Sequence, residues 1–368
     1  MVAGRAAAAR TLRRRMGTYD RVADLPLEIE RYELEGRARR FSDEFERRTT
    51  TFHLHGAGHE GLGEDVVYDP EAQAAQQELG PVLELAGAWT FDSFSRHLDE
   101  VDLFPAAAPD FEVFRNYRRW GVESAALDLA LRQAGRSLDE ALGRAPEPIT
   151  FVVSLRLGEP PSTDGVDRRL SLYPGTRFKL DSTPSWDDAL LAHLAGTGAV
   201  AAIDFKGAYK GTPVDVPTDA ALYERVARAF PEAWLEDPDL GPPDAAAVLA
   251  PYRDRITWDA PIHSVADVEA LPFAPRTLNC KPSRFGPLRA LLDFYDHCEA
   301  DGIALYGGGQ SELGVGRGQI QCLASLFHPG TPNDIAPSGW DWVEFPETGL
   351  APSPLDPAFD DTGFRRRS

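Results

Sequence analysis

The chain has few cysteines and no long apolar run. Its three cysteines, Cys280, Cys298 and Cys322, are odd in number and widely spaced among 368 residues. They predict reduced thiols in a cytoplasmic protein rather than a disulfide framework. No uninterrupted apolar stretch approaches the roughly 18–20 residues of a membrane span. We therefore expect no association with a membrane.

Basic residues are also scarce relative to acidic ones. The chain has 38 Lys and Arg against 58 Asp and Glu, for a formal net charge of −20. A nucleic acid or an anionic membrane surface needs an excess of basic side chains in its partner, so neither is an expected partner here. The hydrophobic fraction of 43% and the charged fraction of 26% are ordinary for a globular protein.

The first sixteen residues do not have the pattern of a secretory signal. Residues 1–16 are rich in Ala and Arg and have no apolar central run. We expect residues 1–18 to be a disordered extension, with Met16 as an alternative start of the protein.

The pattern of the chain changes near residue 148. Residues 19–147 predict a separate α+β domain, with strands at 29–41 and 49–55 followed by helices, among them one at 120–134. Strand-like and helical segments then alternate, and the last unit, around 334–342, has the weakest pattern. About eight such units close into a (β/α)8 TIM barrel, which we predict at 148–345. The tail, 346–368, either returns towards the first domain or is disordered.

Five predicted barrel strands carry a charged residue at or near their end. Asp204, Glu236 and Asp259 end three of them, separated by 32 and 23 positions, and Lys179 and Lys281 belong to two others. One strand-plus-helix unit takes roughly 25–30 residues, since about 250 residues make a whole barrel. Charged side chains at this interval would meet on one rim, where TIM barrels carry their active sites.

Three converging carboxylates indicate a bound cation. Hard oxygen ligands suit Mg²⁺, and zinc is disfavoured because neither His nor Cys accompanies these carboxylates. A cation can stabilise the charge that develops when a neighbouring C–H is deprotonated, and a lysine of suitable pKa can be the base. The pattern therefore predicts a metal-dependent enzyme with Lys179 and Lys281 as an acid–base pair on opposite faces of the substrate.

In this order and spacing, the motifs resemble the enolase superfamily, and within it the muconate-lactonizing-enzyme-like group. Gly61-Leu-Gly63-Glu64 is similar to a Gly-x-Gly-Glu hairpin of that group, and residues 123–130 are similar to its Ala-rich helix. Asp204, Glu236 and Asp259 match its metal ligands. Lys281 matches the lysine of its sixth strand, and Arg177-Phe-Lys179 stands where the group has Lys-x-Lys. Ser311-Glu-Leu-Gly314 is similar to a Glu-Ser-Gly-type segment.

The resemblance implies that residues 19–147 are a capping domain whose loops, around 41–48 and 66–76, close over the barrel and select the substrate. It also implies Mg²⁺ as the cofactor, a small carboxylate as the substrate, a metal-stabilised enediolate and a homo-oligomer. Substrate-binding roles are expected for Arg177, Lys206, Ser311 and Glu312. Lys206 stands where the family more often has Asn, and it could be a third acid–base group, an anchor for an anionic substrate or a counter-charge for the metal ligands.

Several outcomes of α-proton abstraction stay open. They are racemisation or epimerisation, cycloisomerisation, and β-elimination as in o-succinylbenzoate synthases. The segment Asp334-Ile-Ala336 lacks the second Asp of the dipeptide epimerases, and the predicted seventh strand lacks the His-x-Asp pair of the mandelate-racemase-like group. Because Arg177 and Ala260 also depart from the family pattern, the alternative is a catalytically silent barrel that binds a small carboxylate. A metal-dependent aldolase or hydrolase on the same fold is a third possibility.

A glycine-rich segment admits two interpretations. Gly307-Gly-Gly309 follows the predicted seventh strand. Its backbone N–H groups could bind a phosphate, since barrels often do so near strands seven and eight. Close passage of the backbone past a substrate carboxylate is equally compatible with the motif.

Overall fold

A computed structural model describes residues 17–41, 46–212 and 214–367. Most of the predicted N-terminal extension, residues 1–16, and the centre of the predicted substrate-selecting loop, residues 42–45, lie outside these ranges. No helix within the described ranges combines the length and the apolar character needed to span a membrane.

The first part of the chain is an antiparallel sheet packed against helices. Strands β2, β3 and β4 pair antiparallel in that order, and β1 pairs with β5. The elements are β1 (Pro26–Ile29), β2 (Arg31–Arg40), β3 (Glu46–Gly56), β4 (His59–Asp65), α1 (Pro70–Leu79), β5 (Gly87–Thr90), α2 (Phe91–His97), α3 (Val113–Gln133) and α4 (Leu138–Leu142).

Strands and helices alternate from residue 153 onward, which confirms the predicted α/β class with a parallel sheet. Strands β6 to β10 form a five-stranded parallel sheet, and β11 pairs parallel with β12. The elements are β6 (Val153–Arg156), α5 (Asp164–Leu172), β7 (Phe178–Asp181), α6 (Asp188–Thr197), β8 (Val200–Asp204), α7 (Ala220–Ala229), β9 (Trp234–Glu236), α8 (Pro243–Leu249), β10 (Ile256–Thr257), α9 (Val265–Glu269), β11 (Thr277–Cys280), α10 (Pro282–Phe285), α11 (Leu288–Asp301), β12 (Ala304–Gly307) and α12 (Val315–Phe327).

Backbone hydrogen bonds link these two sheets into a ring of eight segments. The N–H of Asn279 donates to the carbonyl of Trp258 at 3.0 Å, which joins β11 to β10. On the other side, the N–H of Asp334 donates to the carbonyl of Gly307 at 2.7 Å, and the N–H of Val152 donates to that of Asn333 at 2.9 Å. The eighth segment is held by isolated bridges. Its irregular backbone explains why the sequence pattern is weakest there.

The Gly-x-Gly-Glu motif lets β4 lie directly on α3. A Cβ atom at Gly61 would lie 2.2 Å from the carbonyl oxygen of Ala125, and one at Gly63 would lie 2.1 Å from that of Gly121. No side chain fits at these separations, because real Cβ atoms do not approach backbone oxygens so closely. The two glycines are therefore a packing requirement.

Glu64, the last residue of the motif, binds the N-terminus of α12. Its buried carboxylate accepts hydrogen bonds from the N–H groups of Leu313, Gly314 and Gly316 at 2.7–3.0 Å. Such N–H groups have no partner within a helix and carry a partial positive charge. Glu64 thus ties β4 of the N-terminal sheet to the loop between β12 and α12.

The C-terminal segment also contacts the first domain. Phe364 is buried against the ring of Trp120, and its N–H donates to Asp128 Oδ1 at 2.6 Å. The guanidinium of Arg365 donates to the other oxygen of the same carboxylate. Leu355 pairs with Ile149, which precedes β6. The segment therefore runs from the start of the parallel sheet to α3.

Substituting Gly63→Ala tests the packing of β4 on α3. The added Cβ must push β4 away from the helix, so we expect the free energy of unfolding to fall by about 1–3 kcal/mol or more. Urea denaturation monitored by circular dichroism measures this change. Gly196→Ala is the matched control, because no atom lies within 4 Å of its added Cβ and Ala favours a helix. Equal stability of the two variants would contradict the packing role.

Candidate active site

Asp204 and Glu236 lie side by side at the C-terminal ends of β8 and β9. They are register partners in the parallel sheet, and both are fully buried. A carboxylate oxygen of each lies within 4.8 Å of the other and of an oxygen of Asp237. The structure thus brings two predicted metal ligands together. It also brings Asp237 into this group. The position of Asp237 directly after Glu236 is the feature of the sequence that could have identified it.

Asp237 also connects β9 to the next strand. Its two carboxylate oxygens accept hydrogen bonds from the N–H groups of Asp259 and Ala260, both at 2.8 Å. Its φ of 47° is in the left-handed region, which non-glycine residues rarely adopt. Burial, together with the nearby carboxylates of Asp259 and Asp204, raises the pKa of Asp237 to about 7.

Asp259 lies at the same rim, with both oxygens held by other side chains. Arg284 Nη1 is 2.9 Å from Oδ1, Lys281 Nζ is 2.8 Å from Oδ2, and the hydroxyl of Tyr209 donates to Oδ2 at 2.9 Å. Burial alone would raise the pKa of Asp259, but Arg284 and Lys281 lower it well below its usual value. Its role as a metal ligand stays a prediction. Sequence reasoning missed Tyr209, which reaches Asp259 from the loop after β8, and Arg284, which reaches it from α10.

Lys179 lies beneath the carboxylates. Its side chain is 2% exposed, its ammonium donates to Glu236, and Nζ is 3.4 Å from both Asp204 and Asp334. Burial opposes the charged form, yet these carboxylates raise the pKa of Lys179 well above its usual value. In this arrangement Lys179 is a counter-ion, and its role as a base stays a prediction.

The register of β7 explains the depth of Lys179. Lys179 is paired with Ala202, whereas Asp181 is paired with Asp204. Alternate residues of a strand face the same side, so Asp181 occupies the rim position on β7 and Lys179 the position below. Sequence reasoning placed Lys179 at the rim and did not consider Asp181.

Lys206 contacts the first carboxylate of the cluster. Its main-chain N–H donates to Asp204 Oδ1 at 2.9 Å, and its ammonium donates to Oδ2. Its φ of 53° is again in the left-handed region. Of the three roles left open by the sequence, this geometry agrees with a counter-charge for Asp204.

Lys281 follows β11, and its side chain is 11% exposed. A Cβ atom at Gly308 would lie 2.8 Å from Lys281 Cε and 2.6 Å from Asn279 Oδ1. The central glycine of the Gly307-Gly-Gly309 segment therefore makes room for the lysine. Neither use suggested by the sequence, a phosphate site or a passage for a substrate carboxylate, is needed to explain it.

Tyr306 of β12 contacts Glu236, the last residue of β9. Its buried hydroxyl donates to Glu236 Oε2, and the amide of Asn279 lies 3.5 Å from the same oxygen. The ring of Trp234 packs against the ring of Tyr306, with centroids 4.6 Å apart. Both oxygens of Glu236 therefore have partners. Sequence reasoning missed Tyr306, because the strand pattern does not reveal which residue reaches across the barrel.

Arg177 is not brought to the cluster. It is exposed and precedes the N-terminal end of β7, whereas Asp181 is at the C-terminal end of that strand. Its position therefore does not support the predicted contact with substrate.

Ser311 and Glu312 lie on the loop between β12 and α12. The hydroxyl of Ser311 is 3.4 Å from that of Tyr68, and Glu312 Oε2 is 3.1 Å from Arg317 Nη2.

The cluster fits a hard divalent cation. Its donors are carboxylate oxygens, and the group assembled from the described residues contains neither His nor Cys. Magnesium and calcium prefer such all-oxygen sets, whereas structural zinc sites favour nitrogen and sulfur. Asp204 and Glu236 are completely buried, where uncompensated negative charge is costly.

Two family matches cover most of the chain. Residues 20–141 match the N-terminal domain, and residues 145–342 match the C-terminal domain, of a domain of unknown function described as DUF8230.

Curated relatives are o-succinylbenzoate synthases and N-succinylamino acid racemases. The o-succinylbenzoate synthase of Geobacillus kaustophilus is 28% identical over 65% of this chain and 64% of its own length. The chain thus spans just under two thirds of this relative. The N-succinylamino acid racemase of Thermus thermophilus is 27% identical over 88% of this chain and 86% of its own length.

Solved structures share the fold. An enolase superfamily member from Listeria innocua superposes with a TM-score of 0.61 at 20% identity, covering 87% of this chain and 88% of its own. A dipeptide epimerase from Methylococcus capsulatus, complexed with a Mg ion, gives 0.58 at 22% identity, covering 83% and 89%. Together with the curated relatives, these structures confirm the resemblance to the enolase superfamily.

Removing the buried ammonium of Lys179 tests its role as a counter-ion. Lys179→Met leaves Glu236, Asp204 and Asp334 without that cation, so we expect the metal-free protein to lose about 3–5 kcal/mol of unfolding free energy. Lys210→Met is the control, because its 53% exposed ammonium pairs with Asp239 at the surface and should contribute less than about 1 kcal/mol. Chemical denaturation in the presence of a chelator measures both. A loss no larger than that of the control would contradict this role.

Proposed function

The chain belongs to the family described as DUF8230, a domain of unknown function, and we propose that it is a Mg²⁺-dependent enzyme that removes the proton α to a substrate carboxylate. One observation carries the proposal: two buried carboxylates, Asp204 and Glu236, lie side by side at the ends of parallel strands, with a reachable lysine, Lys281, on the same rim.

The proposed architecture is a (β/α)8 barrel with an N-terminal capping domain. The ring of eight hydrogen-bonded segments supports it, as does the similarity to enolase superfamily structures. Parallel barrels carry their active sites at the C-terminal ends of the strands. Asp204 and Glu236 end β8 and β9 at that side.

The composition of the chain supports a special use of lysine. Only four of its 38 basic residues are lysines, and three of these four, Lys179, Lys206 and Lys281, contact carboxylates of the site. Arginine cannot be deprotonated in a protein, whereas lysine can exchange a proton when its surroundings tune its pKa. Most basic side chains of this protein are therefore arginines, whereas most of its lysines lie at this site.

Asp204 and Glu236 would hold the cation, with Asp259 or Asp237 as a third ligand. When bound, Mg²⁺ supplies positive charge next to the substrate carboxylate and lowers the cost of removing the neighbouring proton. Lys281 would accept or return that proton, since it is the more exposed of the two lysines predicted to act as acid and base. Tyr306 and Lys179 orient Glu236 from below.

The outcome after deprotonation stays open between isomerase and lyase. Return of the proton to the opposite face gives racemisation or epimerisation, and loss of a leaving group gives elimination. Relatives named for racemisation and for o-succinylbenzoate synthesis match the chain at similar identity. Both reactions begin with the same proton transfer.

One feature favours a second candidate, a barrel that binds a small carboxylate without turnover. Cationic side chains occupy oxygens of two predicted metal ligands: Lys206 is bonded to Asp204, and Arg284 and Lys281 to Asp259. In such a barrel these cations would bind the anionic ligand directly.

Exchange with solvent deuterium tests the proposed chemistry. The protein with Mg²⁺ is incubated in D₂O with N-succinylamino acids, dipeptides and hydroxy acids, and mass spectrometry detects deuterium at the α carbon. We expect exchange that falls at least about 100-fold in Lys281→Met, since general acid–base groups contribute 10²–10⁴-fold, and that stops when Mg²⁺ is removed.

Lys210→Met is the control for loss of a lysine that pairs with Asp239 rather than with a proposed metal ligand, and it should exchange at the wild-type rate. Exchange that is unchanged in Lys281→Met would contradict the role of Lys281. Binding of these acids without exchange in the Mg²⁺-loaded protein would instead favour the barrel without turnover.

A further inference from the structure

Asp181 has a carboxylate oxygen without a hydrogen-bond partner at the rim of the site. The residue ends β7, is paired in register with Asp204, and has a side chain that is 10% exposed. Its Oδ2 accepts a hydrogen bond from Arg156 Nε at 2.8 Å. Its buried Oδ1 accepts none from the described residues.

The ammonium of Lys206 lies near this oxygen without donating a hydrogen bond to it. Lys206 Nζ is 3.6 Å from Asp181 Oδ1, which is too long for a hydrogen bond, because the ammonium is bonded to Asp204. A buried acceptor that is left unpaired destabilises a protein, so native structures usually provide a partner. An oxygen at the rim of an active site can receive that partner from a ligand.

The position of Asp181 on β7 determines which side of the sheet its side chain faces. Lys179, two residues earlier on β7, faces the carboxylate cluster, and residues two apart on a strand face the same side. Asp181 therefore faces the interior one level above Lys179. A substrate whose carboxylate lies over Asp204 and Glu236 would have its remaining atoms next to this level.

We propose that Asp181 is a substrate-binding residue, whose free oxygen accepts a hydrogen bond from an N–H or O–H group close to the carbon that loses its proton. The proposal rests on the proposed function, because it concerns the substrate of that same site. It assigns the substrate to acids that carry such a donor, such as N-acylamino acids or hydroxy acids, and disfavours acids that have none.

The test compares pairs of ligands in which a methyl group replaces the hydrogen of the donor. The pairs are N-acetylalanine with N-acetyl-N-methylalanine, and lactate with 2-methoxypropanoate. Calorimetry measures the dissociation constant of each for the Mg²⁺-loaded full-length protein. We expect the member with the donor to bind roughly tenfold more tightly in at least one pair, since a hydrogen bond to a charged group contributes about this much. The pair that shows the preference identifies the donor as N–H or O–H.

Asp181→Asn separates the hydrogen bond from the bulk of the methyl group. Asn keeps the size of Asp, but when its oxygen accepts from Arg156 it presents an N–H group to the ligand, so the preference should disappear. Asp188→Asn, at an exposed helix position, is the control and should keep the preference. The comparison in the wild-type protein stands by itself if the Asp181→Asn variant does not fold.

Three results would overturn the assignment. They are equal affinity within both pairs, no measurable binding of any member, and a preference that persists in Asp181→Asn. If Asp181 is only a counter-ion of Lys206, Asp181→Asn changes the dissociation constants of both members of a pair by the same factor. Deuterium exchange is scored separately: exchange without a donor preference overturns only the role of Asp181, and a donor preference without exchange contradicts only the proposed activity.

Discussion

The burial of two adjacent carboxylates, Asp204 and Glu236, is the constraint on which the rest of the site depends. Negative charges out of water need nearby cations or donors, and removing one partner leaves a costly uncompensated charge. The protein surrounds the pair from below with the ammonium of Lys179 and the hydroxyl of Tyr306, and from the side with Lys206. Asp237 and Asp334 add two further carboxylates to this group, so the carboxylates outnumber the two ammonium groups and a divalent cation would supply additional positive charge.

The N-terminal part of the chain supports this rim through contacts with the N-termini of α11 and α12. Glu64 binds the N-terminus of α12, and Glu123 of α3 accepts a hydrogen bond from the N–H of Leu288 at 2.7 Å, where α11 begins. Arg47 of β3 donates to the carbonyl of Gln310 at 2.9 Å in the loop after β12. Buried carboxylates at helix N-termini use donors that the helices leave free. The Gly-x-Gly-Glu motif therefore serves assembly, and the domain that it anchors holds the loop next to Lys281.

Much of this arrangement could be predicted from the sequence, because local patterns determine it. The alternation of strands and helices predicted the parallel sheet, and the charged ends of β8 and β9 predicted the adjacency of Asp204 and Glu236. The depth of a residue in the barrel could not be predicted, since it depends on the register between strands: Lys179 lies below the rim and Asp181 at it. Contacts made by loop residues could not be predicted either, such as the hydrogen bond from Tyr209 to Asp259. A side chain that contacts a residue on a distant strand leaves no periodic pattern in the sequence.

The most direct measurement is a calorimetric titration of the chelator-treated protein with Mg²⁺, in parallel with Glu236→Gln and Asp239→Asn. Asp239 belongs to a surface pair with Lys210 and is the matched acidic control. The account predicts one Mg²⁺ site per chain in the wild-type protein, its loss in Glu236→Gln and its retention in Asp239→Asn. Mg²⁺ binding that survives in Glu236→Gln, or that is absent from the wild-type protein, would contradict the central claim that these buried carboxylates form a metal centre.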